Sequence, residues 1–158
     1  MYLKRSGVSI NRIVMVTALA AVGTVYAPSR TGEIVNLNSG KCLDVPAGSR
    51  EDRVDVTQFA CNGGNNQKWE VHKTGEIVNV NSGKCLDVPA GNKADRTPVQ
   101  QFTCNGGNNQ QWHVRGAGEI VNENSGKCLD VPAGSTADRV GVIQFTCNGG
   151  NNQRWSAR

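Results

Sequence analysis

Histidine is scarce in this sequence, and cysteines spaced as CxxC are absent from it. The two histidines, His72 and His113, stand in different sequence surroundings. Structural zinc sites use cysteine and histidine ligands, often with CxxC spacing, so no zinc site is predicted. No Ser-His-Asp or Cys-His arrangement is present either, which argues against a nucleophilic hydrolase. We therefore expect no metal and no other cofactor.

Long hydrophobic runs are also lacking. The longest, at residues 13–27, has 15 residues, whereas a membrane-spanning helix needs about 20. Lys4, Arg5 and Arg12 precede it, which is the order of a secretory signal. We predict a leader over residues 1–30, cleaved after 25–27 or after 18–20, and a secreted, extracellular protein without stable membrane insertion. The alternative is an uncleaved membrane anchor.

A strong charge of one sign is missing from the rest of the chain. The sequence has 17 Lys and Arg against 13 Asp and Glu, and three of the 17 lie in the basic start of the leader. Arg30 is the last residue of the leader, so residues 31–158 carry 13 basic against 13 acidic residues, interspersed and without a basic run. Nucleic-acid binding normally requires a basic patch, so nucleic acid is not an expected partner.

What the sequence does contain is a repeat. Trp69, Trp112 and Trp155 lie 43 residues apart, each at the end of a CNGGNNQxW segment. A period of this length indicates a repeat architecture. We place one domain at residues 31–158, with repeats at 32–74, 75–117 and 118–158.

Six cysteines fall in the repeats, two in each and 19 residues apart. Equivalent units are expected to close in the same way, which favours one bridge within each repeat. The predicted pairs are Cys42–Cys61, Cys85–Cys104 and Cys128–Cys147. A secreted protein permits this oxidation, and each bridge would stabilise the fold by about 3 kcal/mol.

Each repeat consists of short β-like runs separated by turn residues and has no helical periodicity, which predicts about four strands per repeat and about twelve in all. Strand alternation places Leu43 and Trp69 in a shared core and turns Asp44 and Phe59 away from it. Each tryptophan is thus predicted to anchor the core of its unit. The same alternation turns Gln58 inward, where an amide needs hydrogen-bond partners that the sequence does not identify.

Gln-x-Trp, three times at this period and each time after Cys-Leu-Asp, resembles the ricin B-type lectin family over residues 31–158. The resemblance implies an all-β fold, a β-trefoil of three 43-residue repeats with pseudo-threefold symmetry. It also implies a secreted lectin that binds glycans, and the within-repeat disulfides.

The resemblance carries over site residues position by position. The sugar-binding aspartates are Asp44, Asp87 and Asp130, and the aromatic platforms are Phe59, Phe102 and Phe145. A polar helper two residues before the ring falls on Thr57 and Gln100 but on Ile143 in the third repeat. The amides that contact a sugar hydroxyl are Asn66, Asn109 and Asn152, and those that hold the aspartate are Gln67, Gln110 and Gln153. The family more often has Trp or Tyr at the platform, and Ile143 removes a polar contact, so the third site is ranked weakest.

These residue types suit a saccharide. A carboxylate accepts from two neighbouring hydroxyls, an amide donates and accepts, and a ring covers the apolar C–H face. Each site is expected to bind weakly, with Kd on the order of mM, and three sites on one body can add avidity. The resemblance implies galactose or N-acetylgalactosamine as the leading expectation, with mannose-rich glycans, xylan and other plant polysaccharides as alternatives. The aspartates could instead only cap the turns before Pro46 and its equivalents.

Three other functions were weighed. A glycosidase needs two facing carboxylates, and each repeat supplies one at the inferred site, so we do not expect an enzyme. A protein-binding trefoil, such as an inhibitor or toxin partner, is one alternative. A carbohydrate-binding module detached from a polysaccharide-degrading enzyme is another. A free lectin is preferred because the chain ends three residues after Trp155.

Overall fold

The computed structural model describes residues 30–158. The predicted leader, with both candidate cleavage positions, therefore lies outside the described residues except for Arg30, which begins the first strand. The described part contains fifteen short strands and six 3-10 helices of three residues each, and no α-helix. None of its helices has the length and apolarity that crossing a membrane requires. The all-β prediction is confirmed.

Every repeat contributes five strands and two 3-10 helices. The first has β1 (Arg30–Asn36), β2 (Cys42–Asp44), β3 (Val54–Asp55), β4 (Thr57–Phe59) and β5 (Lys68–Val71), with 3-10 helices at Pro46–Gly48 and Asn65–Gln67. The second has β6 (Ile77–Asn79), β7 (Cys85–Asp87), β8 (Thr97–Pro98), β9 (Gln100–Phe102) and β10 (Trp112–Arg115), with 3-10 helices at Pro89–Gly91 and Asn108–Gln110. The third has β11 (Glu119–Asn122), β12 (Cys128–Asp130), β13 (Val140–Gly141), β14 (Ile143–Phe145) and β15 (Trp155–Ala157), with 3-10 helices at Pro132–Gly134 and Asn151–Gln153.

The first and last strands of the three repeats form a closed barrel. Antiparallel ladders join β1 to β5, β5 to β6, β10 to β11, and β15 back to β1. Single bridges, Glu76 with Gln111 and Glu119 with Arg154, join the strands between these ladders. Closure leaves no free sheet edge in this wall.

The middle strands form a cap over one end of the barrel. In each repeat the second strand pairs with the fourth, and the short third strand pairs with the next repeat: β3 with β9, β8 with β14, and β13 with β4. This barrel and three-part cap make the fold a β-trefoil, as expected.

About twelve strands were expected, and the structure has fifteen because one strand of each repeat is broken at a buried valine. The Val56 amide donates to the Val99 carbonyl (2.9 Å), Val99 donates to Val142 (3.0 Å), and Val142 donates back to Val56 (3.0 Å). These three bonds close a ring in which each repeat donates to the next. The ring defines the pseudo-threefold axis, and its bonds replace ladder bonds at the break.

The tryptophans anchor the core, as predicted. Trp69, Trp112 and Trp155 are 0, 3 and 4% exposed and pack with the buried Ile, Leu and Val side chains of all three repeats. Each indole Nε1 donates to a buried carbonyl 3.0 Å away, that of Leu43 in the case of Trp69. Burial without a partner for this N–H would be costly, so the bond is part of the anchor.

The buried amide of Gln58 finds its partners in another repeat. Its Nε2 donates to the carbonyls of Ser135 (2.9 Å) and Ala137 (2.8 Å), and its Oε1 accepts from Ser39 (2.7 Å). The equivalents Gln101 and Gln144 bind the first and second repeats in the same way. The three glutamines therefore join the repeats cyclically, like the valines.

All three predicted disulfides are present. Cys42–Cys61, Cys85–Cys104 and Cys128–Cys147 each join Cα atoms 5.1 Å apart. The first cysteine of each pair is fully buried, although alternation turns it away from the barrel core. Because these sulfurs are bonded to one another, none is available as a thiolate for a metal.

Candidate functional site

Each repeat has one shallow pocket, and its floor is built by the end of the Cys-Leu-Asp strand and the Pro-Ala-Gly turn that follows. The pockets measure about 590, 550 and 720 Å³ in the first, second and third repeats. In the first repeat the lining includes Asp44, Phe59 and Asn66, and the equivalent residues line the other two. The predicted aspartate, ring and asparagine are thus brought together three times.

The Pro-Ala-Gly turns hold an unusual backbone. Ala47, Ala90 and Ala133 have φ of 53, 51 and 52°, in the left-handed region that disfavours residues with a Cβ. Such a conformation costs about 1–2 kcal/mol. Its presence at the same wall of all three pockets indicates that the pocket shape is imposed by the surrounding structure.

The carboxylates face away from the core, as alternation predicts, but they are not exposed. Asp44, Asp87 and Asp130 are only 5, 3 and 3% exposed. The Pro-Ala-Gly turn and the loop before the tryptophan close over the strand end, so each carboxylate lies recessed in the pocket floor.

Two amides fix one oxygen of each carboxylate. Oδ1 of Asp44 accepts from Asn66 Nδ2 (2.8 Å) and from Gln67 Nε2 (3.0 Å). Oδ2 of Asp87 and Oδ2 of Asp130 are held by the equivalent pairs. Gln67 is fully buried, and its Oε1 accepts from the Asn62 amide (2.8 Å). Gln67 therefore holds the aspartate, while Asn66 also lines the pocket.

The helper position stands directly across the ladder from the aspartate. Register pairs Asp44 with Thr57, Asp87 with Gln100, and Asp130 with Ile143. Gln100 Nε2 donates to Asp87 Oδ1 (2.8 Å), so both oxygens of that carboxylate accept protein hydrogen bonds. Ile143 has no donor to offer Asp130. The three sites thus share a plan but differ in the polar contacts beside the carboxylate.

Each phenyl ring lies two residues after the helper position, on the same face of the same strand. Phe59 pairs in register with Cys42, next to the disulfide, and the equivalents Phe102 and Phe145 pair with Cys85 and Cys128. The rings are half-buried and line the pockets. The ring and the carboxylate therefore lie on the same face of the ladder, as strand alternation predicts.

Sequence reasoning missed two pocket residues. Asn62 and its equivalents Asn105 and Asn148 line the pockets from the loop after the second cysteine. An arginine from another repeat also lines each pocket: Arg139 in the first, Arg53 in the second and Arg96 in the third. These arginines belong to Asp-Arg pairs at 52–53, 95–96 and 138–139, which the sequence predicts to be exposed loop ion pairs that can border the sugar site. The arginines do border the pockets, but each aspartate pairs with a lysine instead of with its neighbouring arginine. The recurrence of these pairs every 43 residues was the available signal.

Burial dominates the electrostatics of the pocket floor. It raises the pKa of Asp44 and of Asp130 above the usual 3.8, and hydrogen bonds from Gln67 and Gln153 only partly offset this. The outer aspartates behave oppositely, because a lysine hydrogen bond lowers the pKa of Asp52, Asp95 and Asp138. Asp44 and Asp130 are therefore easier to protonate than the outer aspartates.

Residues 30–156 match the family model of the ricin-type beta-trefoil lectin domain. The chain belongs to this lectin family. Carbohydrate binding is the family's general function, and its members are generally non-enzymatic.

Three solved structures show the similarity. A designed threefold symmetric protein, ThreeFoil, is 39% identical over 79% of this chain and 95% of its own, with a TM-score of 0.77. The exo-β-1,3-galactanase 1,3Gal43A from Clostridium thermocellum is 38% identical over 80% of this chain, with a TM-score of 0.74. The hemolytic lectin CEL-III is 29% identical over 84%, with a TM-score of 0.73. This chain spans 29% of the galactanase and 31% of CEL-III.

Proposed function

We propose that this ricin-type lectin domain binds glycans through three equivalent pockets. The observation that carries the proposal is the meeting of Asp44, Phe59 and Asn66 in one pocket, repeated in the other two repeats. A protein that needed these aspartates only as turn caps would have no use for a half-buried ring beside them. Three pockets on one rigid body support multivalent binding to a glycan-rich surface.

The geometry supports a defined division of work in each pocket. With Asn66 and Gln67 on Oδ1, the second oxygen of Asp44 is left for sugar hydroxyls on the pocket side, and Asp130 has the same arrangement. In the second pocket Gln100 also donates to Asp87, so that carboxylate has less acceptor capacity left for a sugar. Charge-assisted bonds of this kind are about twice as strong as neutral ones, and their strength grows where water is excluded. Phe59 then covers the apolar face of the sugar ring, and the carbonyl oxygen of Asn66 can accept a further hydroxyl.

Galactose-type sugars are the proposed ligands. The support is the 38% identity with a domain-sized part of an exo-β-1,3-galactanase, an enzyme whose name gives galactan as its substrate. That match also favours a second role for the same site, as a carbohydrate-binding module beside a polysaccharide-degrading enzyme. Both roles need the same binding chemistry.

A secreted location is part of the proposal. The three disulfides and the lectin family both favour an extracellular setting, because disulfides persist in oxidising compartments. The leader proposed for residues 1–30 agrees with this location, and N-terminal sequencing of the secreted protein would identify the cleavage position.

A glycan array tests the proposed function. We expect the mature protein to bind galactose-terminated glycans and free galactose to compete at millimolar concentration, since single shallow sites bind with Kd on the order of mM. Lactose serves as a second competitor and glucose as a matched non-ligand. Retention on the array that no free sugar reverses, or no retention at all, would contradict the proposal.

Glycan binding is expected to weaken on acidification before the inter-repeat ion pairs are lost. Binding needs the charged carboxylate, and the raised pKa of Asp44 and Asp130 moves protonation above the usual 3.8. Protonating a carboxylate whose pKa is raised by burial relieves desolvation, so stability does not fall in that pH window. The ion pairs of Asp52, Asp95 and Asp138 contribute above 3.8 and are lost only below it.

Two readouts separate these events. Affinity for a galactoside measured from neutral pH downward should decline while the urea midpoint holds or rises slightly. A decline of both in parallel would show that binding is lost through unfolding, and would contradict the assignment of the recessed aspartates.

A further inference from the structure

The arginine that enters each pocket comes from a different repeat than the aspartate and the ring. Cζ of Arg139 lies 5.8 Å from the ring centroid of Phe59, and Cζ of Arg53 lies 5.9 Å from that of Phe102. Arg96 lines the pocket of Phe145. Each pocket therefore contains residues from two repeats. Arg139 of the third repeat, for example, lines the pocket of the first repeat.

The residue before each arginine fixes the arginine's position. Asp138 accepts from Lys41 Nζ (2.6 Å) and from the Ala60 amide (2.9 Å), both in the repeat that the arginine enters. Asp52 accepts from Lys84 Nζ (2.7 Å) and the Thr103 amide (2.7 Å), and Asp95 is held by Lys127 and Thr146 in the same way. The lysine and backbone-amide contacts of each aspartate lie beside the strand that carries the phenyl ring.

The arginine backbone is itself constrained. Arg53, Arg96 and Arg139 have φ of 64, 66 and 63°, in the left-handed region. A non-glycine residue adopts this conformation at a cost of about 1–2 kcal/mol and keeps it only where its surroundings enforce it. Three such residues in equivalent places, each beside an anchored aspartate, show that the chain directs the guanidinium toward the pocket.

These guanidinium groups form no ion pair of their own, although the charge of Arg139 is among the causes that lower the pKa of Asp138. Among the ion pairs of residues 30–158, none joins Arg53, Arg96 or Arg139 to a carboxylate, since the adjacent aspartates are taken by lysines. The arginines are exposed, whereas Asp44 and its equivalents are buried in the pocket floor. A pocket with a hydroxyl acceptor at depth and a free cation at the rim suits a sugar that carries both hydroxyls and an anionic group.

We propose that these pockets select acidic galactose-type saccharides, with a uronate carboxylate or a sulfate ester paired to Arg53, Arg96 or Arg139. The inference rests on the proposed glycan binding and adds the charge of the ligand. A planar guanidinium matches a carboxylate or sulfate through two parallel hydrogen bonds. In the first and second pockets the ring of Phe59 or Phe102 holds the guanidinium by a cation–π contact.

The proposed preference for acidic sugars is tested with three monosaccharides, each titrated calorimetrically into the mature protein. They are methyl galactoside, methyl galacturonide and methyl galactoside 6-sulfate. We expect at least one acidic sugar to bind about tenfold more tightly than the neutral one, as for a single charge-assisted hydrogen bond. This ratio should shrink as salt rises, because the rim is solvent-exposed. The two acidic sugars distinguish uronate from sulfate recognition.

The triple variant Arg53→Gln, Arg96→Gln, Arg139→Gln should bring the acidic-to-neutral ratio to about one, while Arg115→Gln, an exposed arginine outside the pockets, should leave it unchanged. A wild-type ratio of one, or a high ratio that survives in the triple variant, would overturn the inference and leave glycan binding standing. Tighter neutral binding in the variant, without wild-type acidic preference, would show that arginine covers the ring. Failure of all three sugars to bind would overturn the proposed function itself.

Discussion

Replacing Asp44, Asp87 and Asp130 together by asparagine is expected to weaken glycan binding at least about 100-fold without unfolding the protein. The carboxylates of Asp44 and Asp130 are each proposed to accept two sugar hydroxyls, and that of Asp87, which also accepts from Gln100, at least one. A hydrogen bond to a charged group contributes about 1.5–3 kcal/mol, so losing two such bonds at a site corresponds to roughly a hundredfold or more in Kd. The measurement is calorimetric titration with a galactoside, or retention on a galactose matrix.

Asparagine is a more informative replacement than alanine because each carboxylate has two roles. It accepts hydrogen bonds from protein amides, and it is proposed to accept hydrogen bonds from sugar hydroxyls. The Asp44 oxygen that accepts from Asn66 and Gln67 can be replaced by the asparagine carbonyl oxygen. The new amide nitrogen then stands where the second carboxylate oxygen was, and a donor replaces the acceptor. Alanine would instead leave the two amides short of a partner in a buried place, where each missing bond costs about 1–3 kcal/mol.

Asp55→Asn is the matched control, since Asp55 is an exposed aspartate in β3 outside the pocket lining. It removes one charge and should leave both affinity and stability unchanged. Unfolding of the triple variant would be visible as lost cooperativity in urea and would be reported separately from affinity. A folded triple variant that retains full glycan affinity would show that the carboxylates are not the binding groups.

Strand alternation alone was enough to place the site on one face. Asp44 and Thr57 stand across one ladder, and Phe59 follows two residues on, as a period of two requires. Alternation could not predict how deep the aspartate lies, because its cover comes from the turn at Pro46–Gly48 and the loop before Trp69. Facing away from a core and facing solvent are separate properties in a fold with long connections.

The contacts that the sequence did not predict are mostly those between residues of different repeats. The carbonyls that satisfy Gln58 belong to Ser135 and Ala137, 77 and 79 residues away, and their backbone atoms carry no signature in the sequence. Arg139 reaches Phe59 by the same kind of crossing. Such contacts follow from the closure of three units around one axis, which a single 43-residue period does not specify.

The Gln-x-Trp motif connects the core with the site. Trp69 donates to the carbonyl of Leu43, and Gln67 donates to the carboxylate of the next residue, Asp44. Leu43 points into the core and Asp44 away from it, so the motif fixes both faces of one strand at once. The same pair of bonds recurs in the other repeats. Because the motif binds both the core residue and the adjacent site residue, the site is held in place by the packed core of the barrel.

Trp69→Ala is therefore expected to destabilise the protein by about 3–5 kcal/mol, the range for removing a large aromatic side chain from a packed core. Trp69 is fully buried, and its loss also leaves the Leu43 carbonyl without its indole donor. The difference is measured from urea unfolding curves at constant slope. Trp69→Phe keeps most of the volume and loses the hydrogen bond, so its effect should be smaller.

Val114→Ala provides the control, because this large apolar side chain is 62% exposed and its removal should change stability by no more than about 0.5 kcal/mol. If Trp69→Ala unfolded at the same urea concentration as Val114→Ala, Trp69 would not anchor the core. A destabilised but still folded Trp69→Ala protein should lose affinity first in its own pocket, since Leu43 and Asp44 are adjacent. The pockets of Asp87 and Asp130 keep their own tryptophan and glutamine bonds, so binding there should persist.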